Sequence, residues 1–138
     1  MIDTLPDVNL KFHRTKIKMV NQGGIYETFN YNDEIMETNT VYKIGNYIFD
    51  YNNNILVSSK EKRKLTRKET DLLQLLADNP NTIIKRDFAL KKIWGRNDYF
   101  MGRSMDVYIS KLRKLLMDDS NVSIVNIHNT GFMLTIKD

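Results

Sequence analysis

Along residues 102–116, GRSMDVYISKLRKLL, apolar side chains return at the spacing of one face of an α-helix. Met105, Ile109, Leu112 and Leu116 form a stripe suited to a core, with Tyr108 and Leu115 on its flank. Val107 points the other way, among Arg103, Ser110, Lys111 and Lys114, where water rather than packing is expected. Upstream, LTRKETDLLQLLADNP opens with Thr66 and, three residues on, Glu69, the spacing of a capping box. Asp71 favours the positive end of that helix, Leu72, Leu73, Leu75 and Leu76 give it a wide apolar face, and Asn79-Pro80 stops it. A second helix is predicted through RDFALKKIWG, buried by some of Phe88, Ala89, Leu90, Ile93 and Trp94 and ended by Gly95, with GRNDYFMG as the loop that follows.

Period-two runs frame these helices. Val41–Ile44, Tyr47–Tyr51 and Ile55–Ser58 are β-rich, separated by Gly45-Asn46 and by Asn52-Asn53-Asn54, and a fourth short strand is expected near Arg63–Leu65. The closing VSIVNIHNTGFMLTIKD reads as a hairpin around Asn129-Thr130-Gly131, with glycine supplying the positive φ. Before Val41 no long amphipathic period survives. Residues 1–40 are therefore expected to be an arm or linker with a short helix around Leu10–Val20, and residues 41–138 the folded domain. The fold class is α+β: an N-terminal four-stranded antiparallel sheet, three helices and a C-terminal hairpin.

Charge sharpens this picture. Residues 60–117 hold 15 Lys and Arg against 7 Asp and Glu, whereas residues 1–59 hold 5 against 7 and residues 118–138 hold 1 against 3. The helical middle is a cationic block, for which a polyanion is the natural partner and a solvated helical surface the plain alternative. The absence of cysteine excludes a disulfide framework and thiolate metal sites. No stretch approaches the roughly 20 apolar residues of a membrane helix, and no leader pattern is visible, so a soluble cytoplasmic protein is expected. Catalysis finds no convergent set: the imidazoles are His13 and His128, and no Gly-rich phosphate loop or HExxH spacing occurs. Asp118-Asp119 reads as a solvated helix end, and neither metal nor cofactor is expected.

Two helices joined by a short connection, the second with a basic outer face, form the arrangement that offers a helix to the DNA major groove. Arg103, Val107, Ser110, Lys111 and Lys114 are the groove-facing candidates, with Tyr108 and Arg113 at the margins. Arg and Lys bond guanine edges or phosphates, Ser bonds either, and a small apolar group meets a thymine methyl, which gives Val107 a reason to be outside. Packing of Val107 on the 95–103 loop or on another protein is the alternative. The hairpin is then a wing reaching the backbone or the minor groove with His128, Asn129 and Thr130, or else a plain edge hairpin. Arg67 and Lys68, and Lys85 and Arg86, sit at helix starts where phosphates bind.

From about Tyr42 to Ile136 the sequence resembles the winged helix-turn-helix effector domain of OmpR/PhoB-type response regulators of bacterial two-component systems. The pieces that carry the resemblance are YKIGNYIFD, LTRKETDLLQLLADNPNTIIKRD, IWG, RSMDVYISKLRKLL and NTGFML, in order and at the right distances. The resemblance implies transcription regulation by binding double-stranded direct-repeat operators as a head-to-tail pair. By position it puts Arg103, Val107, Tyr108, Ser110, Lys111 and Arg113 on the recognition helix, Trp94 at a phosphate contact, and Asn126, His128 and Thr130 on the wing. It implies that the 95–102 loop touches RNA polymerase. A winged-helix module using its third helix or that loop on another protein is the alternative function. Two departures stand out: Ser110 replaces an arginine common in the family, and IHNTGF lacks the usual wing arginine and additional glycine. A receiver domain of about 120 residues cannot fit in residues 1–40, where LKFHRTK is at most a remnant of its last helix, and no phosphoacceptor is assigned to Asp3, Asp7 or Asp33.

Overall fold

In the computed structural model, which describes residues 13–30 and 37–137, the turn residues at 45–46 and 52–54 fall between strands as their chemistry requires. Gly45 takes φ +54 and Asn54 φ 55, the left-handed region that glycine and asparagine tolerate. The strands they join, β3 (Glu37–Ile44), β4 (Tyr47–Asp50), β5 (Ile55–Val57) and β6 (Lys62–Lys64), pair antiparallel in sequence order. The fourth strand ends one residue short of the expected range: Leu65 leaves the sheet and is buried in the core.

The sheet is larger than the four strands expected. β1 (His13–Asn21) and β2 (Gly24–Asn30) extend it to six among the described residues, in the order β2-β1-β3-β4-β5-β6. β1 lies parallel to β3, and the expected boundary between residues 40 and 41 falls inside β3. The helix expected around Leu10–Val20 is a strand over its described part; residues 10–12, like Asp3, Asp7 and Asp33, lie outside the described residues. Pairing on both sides of β1 decides this, because a segment with no strong helical period takes the structure its partners impose. Ile17 packs with Val41, Ile48 and Val57, while Val20 joins the main core. Lys18 reaches Asp78 at 3.4 Å and its ammonium stands 5.0 Å from the Tyr42 ring centroid.

α1 (Arg67–Ala77) carries the capping box in full, with Thr66 Oγ1 accepting from Glu69 N at 3.2 Å and Glu69 Oε1 accepting from Thr66 N at 2.8 Å. Its four leucines are buried. After the two-residue β7 (Ile84–Lys85), α2 (Arg86–Ala89) widens into a π-helical turn (Leu90–Trp94) that Gly95 ends at φ 81. α3 (Tyr99–Leu115) begins earlier than the expected loop allows. Asp98 caps it through Met101 N at 2.9 Å, so residues 99–102 are helical and the connection is four residues long, Gly95–Asp98. Met105, Ile109, Leu112 and Leu116 are all buried, as the stripe predicts.

β8 (Val122–Ile127) and β9 (Gly131–Ile136) form the closing hairpin, and β7 adds a third strand in the order β7-β9-β8. The positive φ of its turn belongs to Asn129 (φ 57) rather than to Gly131. Gly131 is needed for a different reason: a Cβ there would lie 1.9 Å from the carbonyl oxygen of Ile84.

Tyr42 is buried and donates to Asp78 Oδ1 at 2.8 Å. Burial first, and the Asp78 carboxylate second, hold its hydroxyl well above the ordinary tyrosine range. The folded chain thus keeps this proton while the unfolded chain releases it near pH 10. The stabilisation is intact below that pH and drains away as pH rises above it. Tyr42→Phe is expected to lose about 1 kcal/mol at neutral pH, and its deficit against the parent to close in urea denaturation series run from pH 9 to 11.

Candidate nucleic-acid interface

Burying the stripe of α3 turns its other face to solvent. Arg103, Val107, Ser110, Lys111 and Lys114 are all exposed, and Val107 keeps 53% of its surface open, so it is not folded onto the preceding loop. Arg103 donates to the Tyr99 hydroxyl at 3.2 Å, which steadies the guanidinium at the start of the helix.

Two stacked rings with a cation at each end join this face to α1. Lys68 Nζ lies 5.3 Å from the centroid of the Trp94 ring and donates to the Ile93 carbonyl at 2.7 Å. Trp94 packs against Tyr108 at 5.8 Å between centroids, and Lys111 Nζ lies 5.2 Å from the Tyr108 centroid. Each cation is held by a quadrupole rather than by a carboxylate, so its charge is oriented without being neutralised. The structure therefore brings Trp94, Tyr108, Lys68 and Lys111 together.

The hairpin tip presents His128, Asn129 and Thr130 to solvent, and Asn126 is exposed on β8. Thr130 Oγ1 donates to the His128 carbonyl at 3.2 Å, closing the turn on itself. A recess of about 790 Å³ separates this tip from the starts of α2 and α3, lined by Lys85, Arg86, Arg103, Asp106, Asn129 and Thr130 among others.

Three expected contacts are otherwise engaged. Arg67 pairs with Asp71 at 3.3 Å and stands 4.8 Å from the Tyr51 ring centroid, outside the Trp94–Tyr108 cluster. Arg86 pairs with Asp106 at 2.6 Å, and Arg113 bonds Ile124 and Asn126 on β8. Residues the sequence reading passed over also border the face: Arg63 and Lys64 of β6 line a recess of about 480 Å³ with Lys111 and Lys114. The signal for them is the charge run Lys60–Lys64, whose position beside α3 depends on the sheet. Among the described residues no group of His, Asp or Glu is placed to hold a metal ion, and no helix is long and apolar enough to cross a membrane.

Three helices, the third offering a basic face beside a β-hairpin, define a winged helix-turn-helix domain. Residues 60–134 match the family described as transcriptional regulatory protein, C terminal, and the chain belongs to that family. It is 53% identical over 94 residues to the transcriptional regulatory protein RprY of Bacteroides fragilis, covering 68% of this chain and 40% of that protein. Against the heme response regulator HssR of Staphylococcus saprophyticus it is 36% identical over 95 residues, covering 68% of this chain and 42% of the other. The chain thus spans about two fifths of the length of these curated relatives. Among solved structures, the DNA-binding domain of Klebsiella pneumoniae RstA in complex with the RstA box superposes with a TM-score of 0.58 at 31% identity, over 69% of this chain and 96% of that one. The DNA-binding domain of Escherichia coli CpxR superposes at 0.62 with 18% identity, over 71% and 98%, and shows the shared fold alone.

Proposed function

We propose that this domain binds double-stranded DNA sequence-specifically and regulates transcription as the effector part of a two-component response regulator. The observation that carries the reading is the exposed face of α3, where an unpacked valine stands among Arg103, Ser110, Lys111 and Lys114. In the major groove Arg103, Ser110 and Lys111 meet base edges or phosphates, Val107 meets a thymine methyl, and Lys114 neutralises backbone charge. Trp94 and Tyr108, with Lys68, flank the groove at a phosphate. His128 and Thr130 reach the backbone or minor groove from the wing, and Arg67 supplies a peripheral phosphate contact once released from Asp71. The RstA complex supports the reading, because there a domain 31% identical to this one is bound to the RstA box. Such work is cytoplasmic and needs no cofactor and no catalytic chemistry.

Direct-repeat operators would seat two copies head to tail. A contact with RNA polymerase falls to the Gly95–Asp98 loop and the first turn of α3, where Tyr99 and Phe100 are 68% and 74% exposed and packed edge to face. That aromatic pair favours a protein contact beside the DNA face and is the feature behind a second reading as an interaction module.

Selection of bound fragments from random duplexes at two salt concentrations tests the proposal. A recurring sequence, bound far more weakly at the higher salt, is the expected result, and capture of duplexes without sequence preference overturns it. On the selected site, Val107→Ala is expected to shift base preference at one position by about 1 kcal/mol, the low end for a mismatched pair. Competition titrations against single-base variants of the site measure it.

A further inference from the structure

We infer that Arg113 and Arg86 are positioning residues that lock the third helix and the wing into one rigid reading unit, rather than groups that touch DNA. The inference rests on the DNA-binding reading above and reassigns two residues that the sequence had placed among the DNA contacts.

Arg113 lies half-buried near the end of α3. Its Nε donates to the Ile124 carbonyl at 2.8 Å and its Nη2 to Asn126 Oδ1 at 2.8 Å, so one planar fork spans two alternate residues of β8. Arg86 does the same work at the other end. Its Nη1 donates to Asp106 Oδ1 at 2.6 Å and its Nη2 to the Gly102 carbonyl at 3.3 Å, while its backbone N–H donates to the Thr130 carbonyl at 3.3 Å. The first half of α3 is therefore tied to the hairpin turn, and the second half to β8. Between the two ties Val107, Ser110 and Lys111 stay exposed.

The chemistry fits a strut better than a phosphate clamp. Guanidinium offers fixed, divergent donors that suit two acceptors at a set separation, which an ammonium cannot span. Asn126, the wing residue in line for DNA, has its acceptor occupied by Arg113, and Asp106 neutralises Arg86 at the position where a phosphate would have to compete. Fixing the angle between helix and wing removes an ordering cost that a loose wing would meet on binding.

The two roles separate by salt dependence. Removing a phosphate-bound cation lowers the slope of log K against log salt by about 1, and lysine replaces such a cation well. Removing a strut leaves the slope alone, and lysine does not restore it. The test measures binding of the full chain to its selected duplex across a salt series for the parent, Arg113→Ala, Arg113→Lys, Asn126→Ala, the double alanine variant and Arg86→Lys, with amide hydrogen exchange at residues 126–130 of the free protein.

Roughly tenfold weaker binding is expected for Arg113→Ala and Arg113→Lys alike, with no further loss in the double variant, an unchanged slope and faster exchange at the hairpin turn. Arg86→Lys keeps its charge and its backbone bond to Thr130, so weaker binding at an unchanged slope is expected there from loss of the side-chain fork to Asp106 and Gly102. Wild-type affinity with lysine, or additive losses in the double variant with the slope falling by about 1 on removal of Arg113, overturns the inference. If the parent binds no duplex selectively, the DNA-binding reading fails by itself, and unchanged exchange in Arg113→Lys still overturns the strut.

Discussion

Alanine at Gly131 is expected to destabilise the domain by about 3 kcal/mol, the upper end of the overpacking range. The added methyl would stand 1.9 Å from the Ile84 carbonyl oxygen, 2.8 Å from its carbon and 3.1 Å from the Lys85 Cα. All three are backbone atoms of β7, so no rotamer relieves the clash. The strand must move, breaking the Ile84–Phe132 and Lys85–Gly131 pairings and drawing Arg86 away from Thr130. Gly95→Ala makes a useful contrast: its φ of 81 strains a side chain, yet nothing lies within 4 Å of the new methyl, and about 1 kcal/mol is expected. Equilibrium denaturation of both variants separates a steric demand from a conformational one, and equal losses would show the β7 contact to be slack.

Replacing Lys111 and Lys114 together by alanine is expected to weaken binding to the selected duplex roughly a hundredfold at low salt, and to reduce the salt slope by about 2. Both side chains are exposed on α3, and both substitutions raise helix propensity, so the melting temperature should hold or rise. Loss of affinity with an unchanged slope would mean that the lysines act through the Tyr108 ring or the β6 recess instead of through phosphates. Fluorescence anisotropy titrations at four salt concentrations give both quantities.

What the residues disclosed in advance follows from how local each determinant is. Thr66 and Glu69 close their box within one turn, and the stripe from Met105 to Leu116 needs only a helical period, so α1 and the buried face of α3 could be read directly. The exposure of Val107 followed from the same geometry. β1 and β2 could not be read this way, because their polar texture becomes a strand only against β3. β7 is two residues long and exists through β9. The early start of α3 turned on one side chain, Asp98, whose capping bond competes evenly with a loop in sequence terms. At the interface, residue types were legible and their partners were not: Arg86 and Arg113 look like any surface cation until Asp106, Ile124 and Asn126 come within reach.

The wide turn at Leu90–Trp94 lets the second helix carry one extra residue without turning the indole away. A π-turn holds one residue more than an α-turn, and such insertions recur where a side chain must be re-aimed. Deleting one residue there would restore ordinary pitch and leave Trp94 nearly in register between the ammonium on the first helix and the phenol on the third, because the wide turn holds its extra residue within one turn. The alignment thus tolerates a lost codon inside the turn at Leu90–Trp94, whereas one lost in the α-helical turn before it, Arg86–Ala89, has no slack to absorb it.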